Sequence, residues 1–244
     1  MTLKVLLARH GTSLPYENID ADKDIVRQSK FTPLGPRGIL QAQLLGKKIA
    51  TLKPYVLLNS PYRRAAETAE IIARFAPLCP NAIDDLREIR RIVDGHSVYS
   101  QLNLDYKKWR GEAIKRGDMV GKFHPHDQSF GEYLAQILRV KHWLPKEFDN
   151  QTVLIVGHSQ FSSMFISSAL LGDKPSPSSL FTYFNRYFMT HAALTTLEYH
   201  YRHGWKVIDF NNTSHLKYTP RICGAFFVPD RSLWLLSENM NKEK

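Results

Sequence analysis

The chain has 244 residues, of which 43% are hydrophobic and 23% charged, with 13 glycines and 13 prolines. That composition belongs to a globular chain long enough to bury a large core, and it excludes collagen, a disordered tail and a disulfide scaffold. Lysine and arginine number 33 against 23 acidic residues, and the formal net charge of +10 points to an anionic partner without choosing between nucleic acid, a membrane surface and a phosphorylated small molecule.

Residues 3–8 form a short β-rich apolar run, the first expected strand, which leads straight into Arg9-His10-Gly11. Thr32 and Pro33 supply an N-cap and a proline for the first helical position, ahead of Ile39, Leu40, Leu44, Leu45 and Ile49 at helical spacing. A second strand is expected over 55–59 and a helix over 62–75, with Ser60 placed to cap that helix and Pro61 to open it. Charge then gathers between about residues 87 and 122. A helix is expected over 129–148, a strand over 152–156, a helix over 160–171, and strands over 194–199 and 205–210. This alternation predicts an α/β fold: a three-layer sandwich with helices on both faces of a largely parallel central sheet. There is no internal repeat and no low-complexity linker, so residues 1–244 read as one domain containing an insertion.

Cys79 and Cys223 stand far apart, in neither a CxxC nor a CxH spacing, which gives a disulfide framework or zinc ribbon no support. The N-terminal apolar run is too short for a signal peptide, and no later run approaches about 18 residues, so neither export nor a membrane span is expected and a cytoplasmic location is. Asn211 and Asn212 both satisfy the glycosylation triplet, a match that is idle without secretion.

In parallel α/β sheets ligands sit beyond the carboxyl ends of strands. The first strand ends in Arg9 and His10, followed by Gly11, which lets backbone approach a ligand closely. The second ends in Ser60-Pro61-Tyr62-Arg63-Arg64, two cations in the first turn of a helix, where the dipole disfavours them unless an anion is present. The strand over 152–156 ends in Gly157-His158-Ser159. Three strand ends thus offer His, Arg and His. An isolated histidine is more often a satisfied core residue; two at strand tips beside Arg9 and Gly157 point to a site.

Arg9-His10-Gly11, Thr32-Pro33-Leu34-Gly35, Ser60-Pro61 followed by Arg64-Ala65 and Glu67-Thr68, Gly157-His158, and Asn211 to Leu216 occur in an order that resembles the histidine phosphatase superfamily, the phosphoglycerate-mutase-like enzymes. The resemblance implies two-step phosphoryl transfer through a phosphohistidine. It implies His10 as nucleophile, with Arg9, Arg64 and His158 around the phosphoryl group, no metal and no cofactor. Cations preorganised around an in-line transition state can supply much of such catalysis, and neighbouring guanidiniums help keep a histidine neutral. The leaving oxygen needs an acid and the attacking water a base. Among Asp84, Asp85, Glu88 and Asp94, the Leu86-Arg87-Glu88 context matches the family's acid, so Glu88 is expected in both roles. Gly11, Asn18 and Ser159 are the expected substrate-binding residues; Asn18 is the candidate to replace the family's pocket asparagine, whose place Tyr16 takes. Arg63 reads as a solvated neighbour of Arg64, His124-Pro125-His126 as a surface loop rather than a metal pair, and His215 as a residue that orders the C-terminal strand end.

The segment over approximately 89–129 would be the insertion capping the active site. Its lysines and arginines, among them Arg90, Arg91, Lys107 and Arg110, are interleaved with Tyr99, Tyr106 and Trp109. This mixture suits either a polyanionic substrate or an ordinary solvated helix face. The mutases' Glu-Arg-His-Tyr-Gly segment is absent after Glu88, which favours a phosphatase acting on a small phosphorylated substrate. A mutase-type transferase and a non-catalytic anion or nucleic-acid binder are the alternatives. Nucleic acid is disfavoured because no recognition helix, RRM or OB pattern is visible. Gly157-His158-Ser159-Gln160-Phe161 resembles a hydrolase nucleophile elbow but lacks its closing glycine, and an esterase leaves Arg9 and Arg64 unexplained. A homo-oligomer is left open.

Overall fold

Strand β1, Thr2–Arg9, is buried along most of its length, as a strand covered on both faces must be. The computed structural model describes residues 2–14, 31–91, 93 and 100–217. After β1 come helix α1 (Pro36–Leu52), β2 (Val56–Asn59), α2 (Arg63–Ala73), the short β3 (Pro80–Ala82) and α3 (Gln101–Arg116). Then follow α4 (Phe130–Glu147), β4 (Thr152–Gly157), α5 (Ser159–Leu171), α6 (Pro177–Arg186), β5 (Leu194–His200) and β6 (Gly204–Asn212). The sheet order is β3-β2-β4-β1-β5-β6. The pairs β3-β2, β2-β4 and β4-β1 are parallel, while β1-β5 and β5-β6 are antiparallel.

Alternate side chains of the central strands feed two cores, which makes the three layers. Leu3, Val5 and Leu7 of β1 join Val153 and Ile155 of β4 on the face packed by Tyr133, Ile137 and Leu144 of α4 and Phe161 and Phe165 of α5. Leu6, Ala8, Leu154 and Val156 face the other way, onto Leu45 and Ile49 of α1 and Ala65, Ala69 and Ile72 of α2. Among the described residues no helix is long and apolar enough to cross a membrane.

Two helix starts differ from the sequence expectation for one reason: the expected caps are used elsewhere. Thr32-Pro33 does not open α1, because Leu34 bridges Ser13 and Gly35 donates to the Thr12 carbonyl at 3.0 Å, so the chain stays extended until Pro36. Pro61 does not open α2, because the Ser60 hydroxyl is held by Tyr62 N–H at 3.2 Å and by His158, and the helix begins at Arg63. The capping box at Ser129 and Glu132 starts α4 as expected. Helix α3 and strand β3 carry no clear apolar period, and they and α6 are not expected from sequence, although Leu180, Phe181 and Phe184 give α6 an apolar face at helical spacing. Within the 89–129 segment, α3 is held by Tyr106 and Trp109 against Phe123, with ring centroids 5.6 and 5.9 Å apart.

Gly11 and Gly38 meet back to back where β1 passes the first turn of α1. A Cβ on Gly38 would stand 2.0 Å from the Thr12 carbonyl oxygen, and one on Gly11 2.4 Å from the Gly38 carbonyl oxygen. Replacing a helical glycine by alanine ordinarily stabilises. Here the sign reverses: Gly38→Ala is expected to destabilise by about 1–3 kcal/mol, the usual cost of overpacking, measured by denaturant unfolding.

Candidate active site

The parallel register aligns Arg9 with Gly157 and Asn59 with Val156, so the C-terminal tips of β1, β2 and β4 lie side by side. His10 N–H reaches the Gly157 carbonyl at 3.0 Å and Ser60 N–H the Val156 carbonyl at 2.9 Å, continuing the ladder one residue into the site. Arg64 in the first turn of α2 folds back over these tips and is buried. Its Nε donates to His10 Nε2 at 3.0 Å, and its Nη2 lies 3.2 Å from His158 Nδ1.

These contacts determine the tautomers. A guanidinium only donates, so His10 Nε2 and His158 Nδ1 both act as acceptors. His10 Nδ1 stands 2.7 Å from the Gly11 carbonyl, which only accepts, so the proton is on Nδ1 and the lone pair on Nε2. His158 correspondingly donates from Nε2 to Ser60 Oγ at 2.8 Å. Burial, followed by the charges of Arg64, His158, Arg9 and His191, holds His10 well below the ordinary imidazole range. Burial, then Arg64, Arg9 and Arg91, does the same to His158. Both rings are neutral, and His10 presents an unprotonated nitrogen beside a cation.

Arg9 donates from Nη1 to the Met189 carbonyl at 2.6 Å, lies 2.8 Å through Nη2 from His191 Nε2, and stacks over Phe188 at 5.3 Å. His191 is a site residue that sequence reading missed. Its ring centroid is 5.5 Å from that of His10, close to the 5.2 Å between His10 and His158. Burial, then Arg9, Arg37 and Arg64, lowers its basicity as well. It precedes β5, whose antiparallel pairing with β1 returns the chain to the tip of β1; no motif marks it.

Glu88 lies just past the 3-10 turn Asp84–Leu86 and is buried. Its Oε1 accepts from Tyr133 Oη at 2.8 Å and its Oε2 from Gln160 N–H at 3.1 Å. The second contact places the carboxylate at the positive end of α5, the helix that begins directly after His158. Tyr133 is fully buried on α4; burial, then the charge and hydrogen bond of Glu88, pushes its hydroxyl well above the ordinary phenol range. Tyr62, Arg87, Glu88, Arg90, Gln128 and Glu132 line a cleft of about 190 Å³. Tyr62 also meets His158 edge-on at 5.2 Å, so this cleft adjoins the histidine cluster.

The structure thus brings His10, His158 and Arg64 into direct contact, joins Arg9 to them through His191, and joins Glu88 to them through α5. It gives other partners to two of the expected substrate-binding residues. Gly11 donates to Thr68 Oγ1 at 3.2 Å and owes its lack of a side chain to Gly38, not to ligand approach. The Ser159 hydroxyl accepts from Met189 N–H at 3.2 Å and lies 3.3 Å from the Met189 carbonyl, fastening the segment that Arg9 also holds. Asn18 lies outside the described residues. Arg63 is exposed and paired with Glu67 at 2.7 Å, and His215 lies 2.9 Å from the Ala192 carbonyl at the start of β5. His124 and His126 lie together in a loop, where His126 N–H donates to His124 Nδ1 at 3.3 Å.

The family model of the histidine phosphatase superfamily, branch 1, matches residues 5–213. The chain belongs to that superfamily. A curated relative, an uncharacterized phosphatase PhoE of Bacillus subtilis, is 24% identical over 184 residues, covering 75% of this chain and 84% of its own length. Among solved structures, a putative α-ribazole-5'-P phosphatase of Escherichia coli superposes with a TM-score of 0.68 at 20% identity, over 86% of this chain and 96% of that one. A phosphoserine phosphatase of Entamoeba histolytica, solved with 3-phosphoglyceric acid, gives 0.64 at 22% identity, over 88% and 99%. These likenesses are of fold.

Three buried neutral histidines impose a pH dependence on stability. His10, His158 and His191 have folded-state basicities below the unfolded value of about 6.5, so the unfolded chain binds more protons as pH falls. Stability is therefore fully present above about pH 6.5 and is lost below it, each such histidine adding a slope of about 1.4 kcal/mol per pH unit until its folded form protonates. Denaturant unfolding between pH 7.5 and 5.5 should show this fall, and His191→Gln should make the slope shallower.

Proposed function

We propose that the protein is a metal-independent phosphatase that hydrolyses small phosphate monoesters through a phosphohistidine on His10. The observation that carries the reading is the neutral His10 with its Nε2 lone pair beside buried Arg64 and Arg9. In the first step Nε2 attacks phosphorus, the ester P–O bond breaks, and protonated Glu88 gives its proton to the leaving oxygen. The Nδ1 proton stays on the ring, donated in a hydrogen bond to the Gly11 carbonyl. In the second step the Glu88 carboxylate takes a proton from water as the water oxygen attacks phosphorus; the N–P bond breaks, its electrons return to Nε2, and phosphate leaves. Arg9 and Arg64, with neutral His158 beside Arg64, meet the charge that develops on the phosphoryl oxygens. Tyr133 positions Glu88, and its own raised pKa keeps it a hydrogen-bond donor throughout.

Phenyl phosphate turnover in the presence of EDTA is the direct test. Wild type should turn it over, His10→Ala should lose on the order of a thousandfold or more, and acid-labile, alkali-stable label should be trapped on the wild type alone. Absence of turnover under these conditions would overturn the reading. Glu88→Gln should cost about a hundredfold or more with a poor leaving group and less with p-nitrophenolate, which departs without a proton. Tyr133→Phe should keep turnover measurable but shift the pH profile of kcat, because the carboxyl group loses its buried donor.

A further inference from the structure

Most cations of α3 point to solvent: Lys107, Lys108 and Lys115 are exposed. Arg110 turns inward. Its guanidinium carbon stands 6.0 Å from the ring of Phe130 and 5.8 Å from that of Phe184, and its Nε is buried with no hydrogen-bond partner. Among the described residues no carboxylate forms an ion pair with it. Burial lowers its basicity; Tyr106 and Glu88 raise it and Arg91 lowers it further, so Glu88 is near enough to be felt but does not bond to it.

Folding alone does not favour such a residue. A buried Nε–H that finds no acceptor costs free energy, and a methionine would fill the space over Phe130 and Phe184 without that cost. The two rings hold the planar group in a set orientation, as aromatic faces do for arginine. The residue as a whole remains partly open, so the guanidinium can be reached. Phe130 begins α4 one turn before Tyr133, whose hydroxyl holds Glu88 at 2.8 Å. One helical turn therefore carries both the support of the expected proton donor and the platform for Arg110, which makes the two neighbours on the first turn of α4.

We propose that Arg110 is a specificity residue, binding a second anionic group on the leaving portion of the ester, so that the substrate class is a phosphate monoester bearing a further carboxylate or phosphate. This rests on the phosphatase reading above. The experiment compares phenyl phosphate with 4-carboxyphenyl phosphate, which differ by one carboxylate, in wild type, Arg110→Met and Arg110→Lys, with melting temperature measured on each. Wild type should favour the carboxylated ester in kcat/KM by roughly tenfold or more, the worth of one charge-assisted hydrogen bond. Arg110→Met should lower kcat/KM for that ester at least about tenfold more than for phenyl phosphate, chiefly through KM, without lowering the melting temperature. Arg110→Lys should keep part of the preference. No preference in wild type, or an equal loss on both esters accompanied by a lower melting temperature, would overturn the proposal. Failure of wild type to hydrolyse either ester would overturn the phosphatase reading, and the proposal with it.

Discussion

Arg64 is tied at once to two imidazoles that come from different strands, through Nε to His10 and through Nη2 to His158. A donor-only group between two rings obliges both to present lone pairs, and each ring must then place its proton on the opposite nitrogen. The outer partners follow from that: the Gly11 carbonyl accepts from His10 Nδ1–H and Ser60 Oγ accepts from His158 Nε2–H. Ser60 is thereby withdrawn from capping α2, which starts later than its sequence suggests. One guanidinium thus sets the tautomers of the site, the start of the helix that carries it, and the direction of the nucleophilic lone pair.

The same arrangement is costly in the absence of an anion. Arg9, Arg64, His10, His158 and His191 are all buried within one cluster of basic groups, and the histidines respond by remaining neutral. Neutrality removes most of the mutual repulsion and leaves the two guanidiniums to be held by carbonyls, rings and imidazole nitrogens. A phosphoryl group would replace these weak acceptors with strong ones, which is the sense in which the site is preorganised for a dianion. Stability given up at the strand tips is recovered in the two apolar layers on either side of β1 and β4.

Glu88 shows how the second layer of the site is built. It is buried, and it is held by a phenol from α4, by a backbone N–H at the start of α5 and by the N–H of adjacent Ile89 at 3.3 Å, so helix packing and its own loop together set its position. Ser159 plays a similar part on the other flank, binding the Met189 backbone that Arg9 also grips. The basic cluster gathers where the strands end, and residues that hold it and Glu88 in place sit on helices across the core.

The central strands were legible because a strand buried on both faces must be a continuous apolar run, and the residues at their tips, Arg9, His10, Arg64 and His158, stand in motifs contiguous with those runs. Strand β3 and helix α3 were not, because an edge strand needs no apolar period and α3 carries charge around most of its circumference; α6 has its apolar Leu180, Phe181 and Phe184 at helical spacing, but in a short segment that opens on proline and serine. The composition of the 89–129 segment, expected to be an insertion, did not separate the solvated cations from inward-facing Arg110. By itself, then, the sequence determined which residues end the core strands and hence the chemistry assembled there, since local patterning suffices for that. Only the tertiary structure decided which distant residues meet them. His191 arrives through antiparallel pairing of β5 with β1, and Tyr133 through packing of α4, because contacts between residues far apart in the chain depend on sheet order and register, which no local pattern encodes.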